Sequence, residues 1–212
     1  MKPVVAAFDF DGTLARGVSG LRFFRQLLGP PRYAWFWVRQ LPALTAYGLR
    51  WHDEVSLARI NQHVFHGRRL IEVEQVANAF AREHLPQTIF PAALTRLREH
   101  QARGDRCVIV SRGFDLYLRP WAVAQGVDDV IATHLMVDCS GRLTGAMPEP
   151  SCDGVHKPRR LEALIGPRDT FELHTYGDGP GDFALLRTAD FAWVRRGETF
   201  QPWNQPAEPP CA

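Results

Sequence analysis

Residues 4–13 read VVAAFDFDGT, a short apolar run that ends in two acids, a glycine and a threonine. An unbroken apolar run of this length marks a strand buried on both faces, as in a parallel sheet, with the acids at its carboxyl end. Side chains two residues apart on a strand share a face, so Asp9 and Asp11 are expected to project near one another. Two later segments repeat the pattern: RCVIVSRG at 106–113 and FELHTYGDGPGD at 171–182.

Helical signals alternate with these runs, around Ala92 to Arg103, Asp115 to Gln125, from His156 onward, and after Pro180. Further strands are expected near Val130 to Thr133 and at Phe191 to Val194. This alternation predicts an α/β fold with a doubly wound, Rossmann-like parallel sheet, whose ligands bind beyond the carboxyl ends of the strands. Asp9, Ser111 and Asp178 all fall there. Between the first and second strands the periodicity becomes helical, clearest in Leu70, Val73, Val76, Ala77, Phe80 and Leu85. The expected division is a core of residues 1–17 and 86–200, an all-helical cap of residues 18–85, and an irregular proline-rich tail of residues 201–212. Leu135 to Val137 and Leu143 to Gly145 flank a turn-forming stretch and predict a hairpin.

Composition sets the background. With 212 residues, 45% of them hydrophobic, the chain can bury a core, and a net charge of +2 gives no reason to expect a nucleic-acid partner. Cys107, Cys139, Cys152 and Cys211 form no C-x-x-C pair, which predicts reduced thiols and a cytoplasmic setting. Asp9 and Asp11 break the N-terminal apolar run before it could serve as a secretory segment. The stretch from Pro31 to Trp51 has the length of a membrane span, but Arg39, Gln40, Pro42 and Arg50 interrupt it.

Four segments in order, DFDGT at Asp9 to Thr13, VIVSRG at Val108 to Gly113, Lys157 opening a helix, and YGDGPGD at Tyr176 to Asp182, resemble the haloacid dehalogenase-like superfamily. Taken singly, each has an ordinary reading as an acidic turn, a helix cap or a solvated lysine; only the ordered set is specific. The Asp9 carboxylate can attack phosphorus and divide one hard displacement into two easier ones. Asp11 is the general acid/base candidate, protonating the leaving alkoxide and then activating water. An acid two residues after the nucleophile is, by the resemblance, a mark of phosphatases and phosphomutases.

Two carboxylates beside a phosphate dianion call for a cation, and Mg2+ suits hard oxygen ligands. The resemblance implies Asp9, the backbone carbonyl of Asp11, and Asp178 as ligands, with Asp182 behind them holding a water of the metal or Lys157. Ser111 is expected to bind phosphate at a helix terminus, Lys157 to supply positive charge, and Gly12 and Thr13 to let the backbone approach the phosphate. His63 and His66 share a helix face without a third ligand nearby and read as surface residues.

The helical insertion and CDGVHK at Cys152 to Lys157 are similar to the phosphoserine phosphatase-like branch, with a C1-type cap. Three departures stand out. The branch's substrate-binding glutamate is missing from Ala15-Arg16-Gly17-Val18-Ser19, Gly181 replaces an asparagine, and Arg112 replaces a small residue. Arg112 is a candidate for a second anionic group on the substrate. A second resemblance, to phosphatidylglycerophosphatase C, rests on GLRFFRQLL, the aromatic cap and WVRRGE. Leu21, Phe24, Trp35, Phe36, Trp37, Leu41, Leu44 and Trp51 are then either the cap's own core or, with Arg32, Arg39 and Arg50, a peripheral contact with the inner membrane face.

The expected activity is therefore a magnesium-dependent phosphatase hydrolysing a small phosphorylated organic molecule, a phosphate monoester, through an aspartyl-phosphate. The alternatives are a phospholipid phosphatase at the membrane surface and an inactive phospholigand-binding relative. A phosphotransferase would use the same residues.

Overall fold

The computed structural model describes residues 2–47 and 54–204, with side chains left aside for residues 40–47. Six strands form one sheet in the order β3-β2-β1-β4-β5-β6. They are β1 (Val4–Phe8), β2 (Arg106–Phe114), β3 (Asp129–Thr133), β4 (Glu172–Gly177), β5 (Phe191–Arg196) and β6 (Thr199–Pro202). The first five pair in parallel, and β6 returns antiparallel along β5. The tail expected from Gln201 thus begins with strand residues, because Val194 pairs with Gln201 and Trp193 with Pro202. Residues 205–212, Cys211 among them, lie outside the described part.

Strand alternation divides the core into two layers. Val5, Ala7, Val108, Val110 and Leu173 face one side, where they meet Leu161 of α7 (His156–Ile165) and Leu185 of α8 (Phe183–Leu186). Ala6, Phe8, Cys107, Ile109 and Tyr176 face the other side, against Leu97 of α5 (Pro91–Arg103) and Trp121 of α6 (Asp115–Ala124). Burial of this kind contributes about 1.5–3 kcal/mol per large apolar side chain, which is why the central strands read as continuous apolar runs.

Among the described residues, four α-helices stand between β1 and α5: α1 (Ser19–Leu28), α2 (Pro30–Tyr47), α3 (Glu54–Phe65) and α4 (Leu70–Glu83). Phe23, Phe24, Phe36, Phe65, Phe80 and Ala77 from these helices are buried. Phe23 and Phe80 also meet Tyr117 of α6, so the insertion shares its apolar interior with the core. The hairpin forms around a bridge between Val137 and Leu143, and its far strand docks on the α3–α4 connection through Gly67 N–H to Leu143 O at 2.9 Å and Leu143 N–H to Arg68 O at 2.8 Å.

The cap aromatics divide between the two readings. Phe36 and Phe24 are core residues, whereas Trp35 is 60% exposed and Val38 51%. The side chains of Leu41 and Leu44, and Arg50 and Trp51, fall outside the described residues. No described helix is long and apolar enough to cross a membrane.

Candidate active site

Register places the acids. Phe8 pairs with Ile109 on one side and Tyr176 on the other, so the residues just beyond each strand end collect at one edge of the sheet. Asp9 continues from β1, its N–H donating to Tyr176 O at 2.9 Å; Ser111 lies two residues past Ile109, and Asp178 two past Tyr176. Carboxylate oxygens of Asp9, Asp178 and Asp182 lie within 4.8 Å of one another.

Lys157 joins this cluster from the first turn of α7. Its ammonium donates to Asp9 Oδ1 at 2.7 Å and Asp182 Oδ1 at 2.6 Å, and the side chain is 2% exposed. Asp182 accepts from the Asp178 and Gly179 N–H groups through its other oxygen, at 3.0 and 3.2 Å. Asp182 therefore positions both the lysine and the loop that carries Asp178.

The electrostatics follow from burial. Asp9 is pushed well above the usual carboxylate range by desolvation and then by Asp182, with Lys157 opposing. Asp178 is raised for the same first two reasons. Burial works against the charge on Lys157, yet Asp9 and Asp182 outweigh it and hold the ammonium far above its ordinary value. Three carboxylates against one ammonium leave surplus negative charge, and hard oxygen donors in that state fit a magnesium ion.

Asp11 stands apart from the cluster. Its Oδ1 accepts from the N–H of Ser19, the first residue of α1, at 2.9 Å. Burial lifts its carboxyl to about 6, and the Ser19 hydrogen bonds hold it from going higher.

The phosphate-binding candidates are also placed. Gly12 has φ of 85°, and a Cβ there would collide with the Asp178 carboxylate, so both the turn and the close approach require glycine. Thr13 is fully buried, with its hydroxyl 3.4 Å from Asp178 Oδ1. Contrary to expectation the Gly12 and Thr13 backbone is not open to a phosphate, because the Gly12 N–H donates to Ala15 O at 2.8 Å and the Thr13 N–H to Phe10 O at 3.3 Å. Ser111 is 1% exposed and its Oγ accepts from the Gly113 N–H at 3.1 Å. It does not sit at a helix terminus as expected: β2 runs on to Phe114 and α6 begins at Asp115, so any anion there meets strand-end amides and not a helix start. Arg112 pairs with Asp153 at 3.5 Å.

Sequence reading missed several contributors. Ser19 and Tyr117 hydrogen-bond at 2.9 Å behind Asp11, and Arg195, from the last parallel strand, donates to the Gly12 carbonyl. Glu54 at the start of α3 accepts from the Ser151 N–H at 3.1 Å and from its hydroxyl, joining the helical insertion to the segment before Lys157. Only WVRRGE had drawn attention to Arg195; a lone serine, tyrosine or glutamate in helical text carries no such signal.

Comparison with known proteins agrees with this geometry. The sequence profile of the haloacid dehalogenase-like hydrolases matches residues 6–187. Protein CicA of Caulobacter vibrioides is 34% identical over 190 residues, covering 89% of this chain and 84% of that protein. A 2-hydroxy-3-keto-5-methylthiopentenyl-1-phosphate phosphatase of Exiguobacterium is 30% identical over 126 residues, 54% of this chain and 56% of that one. Among solved structures, a protein of unknown function from Bordetella pertussis Tohama I superposes with a TM-score of 0.78 at 23% identity, covering 91% of this chain and 89% of that one. A substrate-bound phosphoserine phosphatase gives 0.59 at 20% identity, with 91% and 85% covered. The chain belongs to the haloacid dehalogenase-like hydrolase family, and its fold is that of the phosphoserine phosphatase-like branch.

Proposed function

We propose that the protein is a magnesium-dependent phosphatase that hydrolyses a phosphate monoester of a small organic molecule through an aspartyl-phosphate on Asp9. The observation that carries this reading is the buried Asp9–Lys157–Asp182 array with Asp178 beside it and Asp11 held separately. A binding protein would need the cations but not a second, independently oriented acid.

Asp9 must be ionised to attack phosphorus, and Lys157 favours that state against the burial that opposes it. Asp9, Asp178 and the Asp11 carbonyl would hold magnesium, which when bound neutralises charge on the phosphoryl group. Asp9 Oδ attacks, the bond from phosphorus to the ester oxygen breaks, and Asp11 gives its proton to the departing oxygen. Water then attacks phosphorus, the bond from phosphorus to Asp9 Oδ breaks to free the Asp9 carboxylate and inorganic phosphate, and Asp11, now a carboxylate, takes the proton of the water. A carboxyl near 6 can serve in both directions. Ser111 and Lys157 are assigned to the phosphate, and Arg112, through its planar fork, to a second anionic group of the substrate.

A second reading, a phosphatidylglycerophosphate-type phosphatase working at the membrane surface, draws support from one feature of α2. Trp35 and Val38 are exposed beside the exposed Arg32 and Arg39, an apolar and basic face of the kind that meets anionic lipid. The test of both is phosphate release with magnesium from phosphoserine, sugar phosphates, nucleotides and phosphatidylglycerophosphate in detergent, with EDTA and Asp9→Asn controls. The small-molecule reading expects release from a soluble ester that EDTA and Asp9→Asn both abolish. Preference for the lipid promotes the second reading, and a folded Asp9→Asn protein with full activity overturns both.

A further inference from the structure

The mechanism above leaves one buried hydroxyl network unused. Tyr117 of α6 is fully buried among Phe23, Phe80 and Phe114. Its hydroxyl lies 2.9 Å from Ser19 Oγ. Ser19, 3% exposed, donates its N–H to the Asp11 carboxylate at 2.9 Å.

The Ser19 N–H donates to Asp11, and the Ser19 and Tyr117 hydroxyls hydrogen-bond to one another directly behind that contact. The space is kept open for it, since a Cβ at Gly113 would come within 2.9 Å of the Tyr117 hydroxyl. Such buried chains fix orientation because leaving any member unpaired is costly.

The position of Ser19 adds a second consequence. It opens α1, the first helix of the insertion, whereas Tyr117 belongs to the core helix α6. We propose that Ser19 and Tyr117 are positioning residues that hold the Asp11 carboxyl in its working orientation and tie that orientation to the placement of α1. This rests on the acid/base reading of Asp11 given above.

The test uses leaving-group demand. The kcat/KM value reports steps up to the first irreversible bond cleavage, so a misplaced acid harms esters with poor leaving groups and spares those that need no proton. Tyr117→Phe and Ser19→Ala should each lower kcat/KM for glycerol phosphate by about tenfold or more while lowering it less than about threefold for 4-nitrophenyl phosphate, with phenyl phosphate between. Ser19→Thr, which keeps both donors, should restore most of the loss. A thermal melt of each variant checks that it is folded; if Tyr117→Phe does not fold, the Ser19→Ala and Ser19→Thr pair decides. An equal fall on all three esters, or no fall, overturns the proposal. Absence of Asp9-dependent release from any ester by the unaltered protein instead removes the acid/base reading on which it stands.

Discussion

Lys157→Met places an unbranched apolar chain where an ammonium now sits between two buried carboxylates. Asp9, Asp182 and Lys157 are 5%, 4% and 2% exposed, so water screens the array poorly. Removing one partner of a buried ion pair typically costs about 3–5 kcal/mol, because the remaining charge stays desolvated. Here two carboxylates lose the same partner, at 2.7 and 2.6 Å, which argues for the upper part of that range. For a chain of this size each kcal/mol is worth roughly 2–4 °C, so the melting temperature in EDTA should fall by about 10 °C or more at pH 8. The pH dependence is the sharper check. Asp9 is already raised by burial and by Asp182, and loss of the ammonium raises it further. A carboxyl whose folded pKa lies above its unfolded value is penalised fully above the folded pKa and is relieved as pH falls through it. The deficit of the variant should therefore shrink between pH 8 and pH 5, as one carboxyl of the pair takes up a proton. Magnesium at pH 8 should also recover part of it. The readout is far-UV circular dichroism melting of both proteins at the two pH values, with and without magnesium. A deficit of only a few degrees, unchanged by pH and by magnesium, would refute the view that Lys157 is held there as the neutralising charge.

Other predictions follow from single features of the site. Above about pH 6, kcat/KM for an alkyl phosphate should decline as Asp11 loses the proton that it must donate, and Asp11→Asn should abolish that limb along with most of the activity; a pH–rate profile checks both. Gly12→Ala forces a Cβ into the Asp178 carboxylate at φ of 85°, where a non-glycine residue costs about 1–2 kcal/mol, so the magnesium concentration for half-maximal activity should rise at least several-fold in a metal titration. Trp35→Ser removes an exposed ring and should leave the melting temperature within about 2 °C, since such surface changes usually stay within ±0.5 kcal/mol. On the lipid reading it also weakens retention on anionic vesicles in a sedimentation assay, and unchanged retention leaves that ring without a membrane role.

The sheet was legible because its signal is local. Val5 to Phe8 and Cys107 to Val110 are buried on both faces, and only continuous apolar text can satisfy that environment. The paired acids were legible too, since they end such runs. By contrast, β2 runs beyond its apolar text: the apolar run ends at Val110, with Ser111 expected between strand and helix, yet Phe114 still pairs with Thr133 across an irregularity in the ladder. Pairing with a distant strand leaves no periodicity in four residues. β6 was missed for a similar reason, as Thr199 to Pro202 is an edge strand in which Pro202 can sit without donating to the ladder. Ser19 and Tyr117, 98 residues apart, meet only through the packing of α1 on the core.

Two departures from the phosphoserine phosphatase pattern, noticed separately in the sequence, prove to be one structural feature. Arg112, near the carboxyl end of β2, reaches the loop that precedes α7. There it meets the Asp153 carboxylate at 3.5 Å. The other oxygen of Asp153 accepts from the Gly154 N–H at 3.0 Å and occupies the space a Cβ of residue 181 would need. A larger residue at position 181 would displace Asp153, an ion-pair partner of Arg112. The arginine and the glycine are therefore coupled through a third residue that neither motif contains. Gly181→Asn should thus change the same substrate preference as Arg112→Ala, and the double variant should do little more than either alone. A kcat/KM double-mutant cycle on esters with and without a second anionic group measures that coupling, and full additivity of the two effects would separate them.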